Sequence, residues 1–101
     1  MAFRIVWSEI ALTDLRELVH YIARDDRQVA KRFGDLIVAK VESLQTFPRM
    51  GRIVPEYRDD RLRELIITPY RIVFETDDSA MTLSVLRIWH GARGKPEFPL
   101  P

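Results

Sequence analysis

The sequence predicts an α+β fold with element order β-α-α-β-β-β, a helical hairpin packed on one face of a small antiparallel sheet. Three observations carry this. Apolar residues recur at helical spacing at Ala11, Leu12, Leu15, Leu18, Val19 and Ile22, and again at Ala30, Phe33, Ile37, Val41 and Leu44. Only a short break at Arg24-Asp25-Asp26-Arg27 separates the two stripes, as in an antiparallel helical hairpin. Beyond Pro48 the period changes to two, with Tyr70, Ile72 and Phe74 alternating against Arg71, Val73 and Glu75.

Each element has its own local reason. Phe3 to Trp7 is a β-branched and aromatic run that reads as the first strand. Ser8 follows as an N-cap, its hydroxyl placed to accept from the unpaired amides of the first turn. Asp25 and Gln28 resemble a capping box for the second helix, which is expected to run to about Phe47, where Pro48 stops it. Pro48 to Asp60 reads as a loop. Leu62 to Thr68, Tyr70 to Thr76 and Met81 to Trp89 read as three strands in a meander, broken by Thr68-Pro69 and by Asp77-Asp78-Ser79. The last strand is apolar on both sides, Leu83 and Val85 on one and Leu86 and Ile88 on the other. The helical hairpin covers one sheet face, and no helix remains for the second.

The chain has 101 residues, which suits one domain, expected at 1–93 with a proline-rich tail at 94–101. It is 47% hydrophobic and 31% charged, an ordinary globular balance, and no apolar run approaches the roughly 20 residues of a membrane span. The start, Met1 to Trp7, lacks the basic and then apolar layout of a secretory signal. The absence of cysteine excludes disulfides and thiolate metal sites, and a cytoplasmic location is expected. A net charge of +1 argues against nonspecific coating of nucleic acid, which needs a field of unpaired positive charge.

The chemistry-bearing residues cluster between Arg63 and Arg93. His90 suits proton transfer, and also suits a strand end bonded to backbone. His20 reads as a packing residue at the edge of the first helical stripe, and no metal site or cofactor is implied. Arg71 sits mid-strand on the face without helical cover, where it could hold a phosphate, a partner's carboxylate, or Glu75, four residues along on the same face. Arg93 could bind phosphate or cap the meander. No P-loop, dinucleotide fingerprint, nucleophile elbow or zinc motif is present.

These pieces, in this order, resemble the toxins of the RelE/ParE superfamily of type II toxin–antitoxin systems, also described as plasmid stabilisation proteins. The resemblance runs from Ser8-Glu-Ile-Ala-Leu-Thr-Asp-Leu15 with Tyr21-Ile22, through Leu44 to Arg52 and Arg63-Glu-Leu65. It continues in Tyr70-Arg71-Ile-Val-Phe74 and ends in Leu86-Arg-Ile-Trp-His90-Gly-Ala-Arg93. It implies a toxin neutralised by a cognate antitoxin with a segment that folds on it. The short ending without a tyrosine after Arg93 is similar to the ParE branch, which implies inhibition of DNA gyrase by binding and no reaction of its own. The alternative is a RelE-like endoribonuclease cutting mRNA on the ribosome, with Arg71, His90 and Arg93 as its catalytic set. A further alternative is a non-toxic module that only pairs with its antitoxin. The residues expected to contact a partner or target are Arg52, Arg63, Arg71, Trp89, His90 and Arg93.

Overall fold

Ser8 is the joint at which the first strand becomes a helix. Its Oγ accepts from the Ala11 amide at 3.0 Å and donates to the Leu86 carbonyl at 3.0 Å, so one hydroxyl caps a helix and pins it to the chain's last strand. The computed structural model describes residues 2–96. The elements are β1 (Arg4–Trp7), α1 (Glu9–Ala23), α2 (Arg27–Ser43), β2 (Arg52–Ile53), β3 (Leu62–Ile67), β4 (Tyr70–Asp77) and β5 (Thr82–His90), closed by a 3-10 turn at Gly91–Arg93.

The sheet is five-stranded with order β1-β5-β4-β3-β2. As expected, the three long strands are antiparallel neighbours in chain order. The first strand, which the sequence left unplaced, lies parallel to β5 at the sheet's end, so the sheet is mixed. The loop after Pro48 supplies a strand that sequence reasoning did not find, the two-residue β2. Gly51 lets it approach: its φ of +100° suits glycine, and a Cβ there would stand 2.4 Å from the Glu64 carbonyl oxygen.

Both helices pack on one face, as their stripes require. Ala11, Leu18, Ile37, Val41 and Leu44 meet Leu65, Ile72, Phe74, Leu83, Val85 and Ile88 in the main core. Several local expectations are corrected. The second helix is capped by Asp26, whose Oδ1 accepts from the Gln28 and Val29 amides, because Asp25 still belongs to the turn closing α1. That helix ends at Ser43, short of Phe47, and the chain turns through residues 44–46 before Pro48. Leu12, counted in the first stripe, is exposed, and so is His20, expected as a packing residue at the stripe's edge.

The larger corrections concern β5 and the second sheet face. Val73 pairs with Arg87 but Phe74 pairs with Val85, leaving Leu86 as an extra residue in a β-bulge. Ile88 therefore shares the helix-side core with Leu83 and Val85, and Leu86 packs on the other side against Val54, Leu62 and Val73. That other side lacks a helix but is covered. The 54–57 turn and the tail from Gly94 to Pro96 lie across it, with Val54 and Pro96 fully buried. Among the described residues, no helix is long and apolar enough to cross a membrane.

Candidate functional site: two faces of one sheet

The hairpin turn at Thr68-Pro69 sets the geometry of the site. Ile67 pairs with Tyr70 across it, which places Ile66 opposite Arg71 and Glu64 opposite Val73. Glu64 and Arg71 are then diagonal neighbours on one face, within reach of long side chains. Arg71 Nε donates to Glu64 Oε1 at 2.6 Å, and Arg52 Nε donates to Glu64 Oε2 at 2.6 Å. The Glu64 side chain is completely buried, so one carboxylate beneath the surface holds two guanidinium groups.

Glu56 closes the other side of Arg71. Arg71 Nη1 and Nη2 donate to its two carboxylate oxygens at 2.9 and 2.7 Å, a fork-to-fork pair. Nη1 also donates to the Gly94 carbonyl at 3.2 Å. These hydrogen bonds hold the Glu56 carboxyl below the usual carboxylate range and push the Arg71 guanidinium above its ordinary value. Arg52, Arg71, Glu56 and Glu64 thus balance to zero net charge. The sequence suggested Glu75 as the internal partner of Arg71. Glu75 lies farther up the strand, opposite Leu62, and the two carboxylates that hold the arginine come from β3 and the loop before it.

Trp89 is directly opposite Arg71 in the sheet and donates Nε1–H to the same Gly94 carbonyl at 3.2 Å. Arg87 and Arg93 lie over its ring at 5.0 and 4.1 Å from the centroid. Arg87 also reaches round the edge of β5 to the Asp14 carboxylate on α1, at 2.8 and 3.1 Å, and Asp14 Oδ2 accepts from the Ile88 amide. Arg63 turns to backbone, donating to the Asp60 and Gly51 carbonyls.

His90 is on the opposite face. It pairs with Tyr70 and touches its ring edge-on, centroids 5.3 Å apart. Its Nδ1 accepts from the Ala92 amide at 3.1 Å and so caps the 3-10 turn. It lines a cleft of about 590 Å³ between α1 and the end of β5, with Leu18, Tyr21, Phe33, Tyr70 and Ile88 as the apolar floor. Asp14 and Glu17 stand at the rim, and Arg93 closes one end. Burial pushes the Tyr70 phenol above its ordinary value, so it is no base at neutral pH.

Of the six expected contact residues, Arg52, Arg71 and Trp89 gather on the tail-covered face, Arg93 reaches the Trp89 ring there and also lines the helix-side cleft that His90 faces, and Arg63 serves the loop. Sequence reasoning missed Glu56, Glu64, Tyr57 and Asp14. A two-residue turn at Thr68-Pro69 would have put Glu64 beside Arg71, so that contact had a readable signal. Glu56 and Tyr57 come from an aperiodic loop that carries none. Among the described residues, no group of three or more His, Asp or Glu is placed to hold a metal ion.

Comparison with known proteins agrees with this architecture. Toxin RelE2 of Caulobacter vibrioides is 31% identical over 91 residues, spanning 89% of this chain and 97% of the relative. Toxin RelE1 of the same organism is 30% identical over 95 residues, spanning 90% and 96%. Among solved structures, the chromosomal ParDE toxin–antitoxin system of P. aeruginosa superposes with a TM-score of 0.70 at 23% identity, covering 88% of this chain and 96% of that one. The RelBE2 toxin–antitoxin complex of Mycobacterium tuberculosis gives a TM-score of 0.67 at 20% identity, covering 89% and 99%. A mutant of E. coli RelE in the free state gives 0.64 at 18% identity, covering 93% and 88%. The family described as "ParE toxin of type II toxin-antitoxin system, parDE" matches residues 5–94. With its helical hairpin on a mixed sheet and this match along nearly its whole length, the chain belongs to the ParE toxin family within the RelE/ParE superfamily.

Proposed function

We propose that this toxin acts by binding DNA gyrase rather than by cutting RNA, and that a cognate antitoxin neutralises it by folding a segment onto its surface. The observation that carries the choice is the separation of Arg71 from His90. Cutting RNA by 2′-OH attack needs a base, a cation for the developing charge and an acid for the leaving oxygen, all at one phosphate. Arg71 is held by two carboxylates on one face, while His90 looks into the cleft on the other. A phosphate at Arg71 would have to displace Glu56, and His90 would still be across the sheet. The antitoxin partner is supported by the similarity to toxins solved as toxin–antitoxin complexes.

The names of the two Caulobacter relatives favour the second reading, a RelE-like ribosome-dependent endoribonuclease. One experiment separates the two. Purified toxin is assayed for inhibition of gyrase supercoiling, and in parallel for cleavage of translated mRNA by primer extension. Gyrase inhibition with intact mRNA is the expected result. Cleavage lost in both Arg71→Ala and His90→Ala overturns it. Soluble expression without growth arrest would instead favour a non-toxic antitoxin-binding module.

A further inference from the structure

The tail is held in the manner of a peptide ligand. Gly94 offers its carbonyl to two donors on the sheet, Arg71 Nη1 and Trp89 Nε1, each at 3.2 Å. Two residues on, the Pro96 carbonyl accepts from Tyr57 Oη at 2.7 Å, and the Pro96 ring is fully buried. Between them Lys95 points its ammonium at the Tyr57 ring, 4.7 Å from the centroid. Gly94 has φ of +80°, in the region that favours glycine. No strand pairing holds residues 94–96. Among the described residues their attachments include these carbonyls, one ring, one cation and the Gly94 amide's 3.5 Å bond back to the Gly91 carbonyl.

We propose that the face built from Arg71, Trp89 and Tyr57 is a peptide-docking surface, occupied by the chain's own tail, which takes a Gly-x-Pro segment of a protein partner, bent as the tail is, with a basic residue at x. The occupant's chemistry is read from the segment already seated there. Glycine is required at the first position by its backbone angle, a carbonyl by the Arg71 and Trp89 donors, a cation by the Tyr57 ring, and a proline by the pocket it fills. Exchange is feasible because the tail leaves without disturbing any ladder, while the uncovered donors call for new acceptors. The inference is independent of whether gyrase is the target.

The test uses the full-length chain and the indole N–H signals of Trp89 and Trp7, the latter an internal reference far along the sequence. In the wild type the Trp89 indole hydrogen is expected to be protected from exchange. Pro96→Ala should lose that protection with the Trp7 signal unchanged. The probe is a capped peptide of residues 92–97, Ala-Arg-Gly-Lys-Pro-Glu, titrated into Pro96→Ala. It should shift the Trp89 signal saturably and restore protection. Versions with glycine or proline replaced by alanine should fail.

Equal protection in wild type and Pro96→Ala overturns the proposal, as does a flat titration or equal binding of the alanine peptides. Protection that returns with protein concentration alone would mean tail exchange between two copies, which also overturns a partner-borne segment. Should Pro96→Ala fail to fold, Tyr57→Phe gives a second route. It keeps the ring, and it should weaken the tail's hold while lowering the peptide's effect in proportion. Supercoiling inhibition, read separately, reports on the gyrase proposal alone.

Discussion

Glu64 is wholly buried, and each of its carboxylate oxygens accepts from a different arginine, Oε1 from Arg71 and Oε2 from Arg52. Removing it would leave Arg71, itself nearly buried, with an uncompensated charge toward β3. Glu64→Ala is expected to cost about 3–5 kcal/mol of unfolding free energy, the range for breaking a buried pair from one side. Chemical denaturation measures this. Arg52→Ala should cost far less, because its side chain is 60% exposed.

Acid should act on this face through Glu56. Its folded-state carboxyl lies below its ordinary value of 4.5 because Arg71 donates to both oxygens. The stability it contributes is therefore complete above that value and is lost as pH falls through the lower folded value. Denaturation midpoints measured from neutral pH downward should drop below about pH 4.5. In Glu56→Gln that part of the decline should shrink, since no carboxyl remains there to protonate.

Asp14 has two tasks and Arg87 shares only one of them. The carboxylate accepts from the Arg87 guanidinium and also from the Ile88 amide, on the side of β5 that β1 does not reach. Asp14→Ala should therefore destabilise more than Arg87→Ala. A double-mutant cycle should return a coupling of about 0.5–3 kcal/mol, smaller than the Asp14 effect itself.

Two glycines should respond differently to alanine. At Gly51 the backbone angle is left-handed and the new Cβ would meet a backbone carbonyl, which cannot move without breaking β2 from β3. A loss of about 1–3 kcal/mol is expected there. At Gly34 the nearest atom is Val19 Cγ2 at 3.1 Å, a side-chain methyl that can yield. The helix propensity of alanine, worth about 1 kcal/mol over glycine, then offsets the crowding, and thermal melts should show little change.

The helical hairpin and the three long strands were legible because their periods report burial directly: Ile37 and Val41 face the core, and so do Ile72 and Phe74. The parallel placement of β1 was not legible, because a lone strand carries no mark of its neighbour. Asp26 rather than Asp25 as the cap shows how two adjacent carboxylates blur a boundary. In the site, Arg71 was found and its surroundings were not. The face seemed open because no helix was left to cover it, whereas a loop and a tail without periodicity do the covering.

Leu86 stands unpaired between Val85 and Arg87. Strict alternation from Val85 onward, without that extra residue, would have sent Trp89 toward the helices and placed His90 on the same side as Arg71. The number of backbone units in β5, rather than the identity of any side chain, therefore decides whether the histidine and the arginine share a solvent space. A ladder with one more or one fewer unit before His90 would assemble a different surface from the same residues.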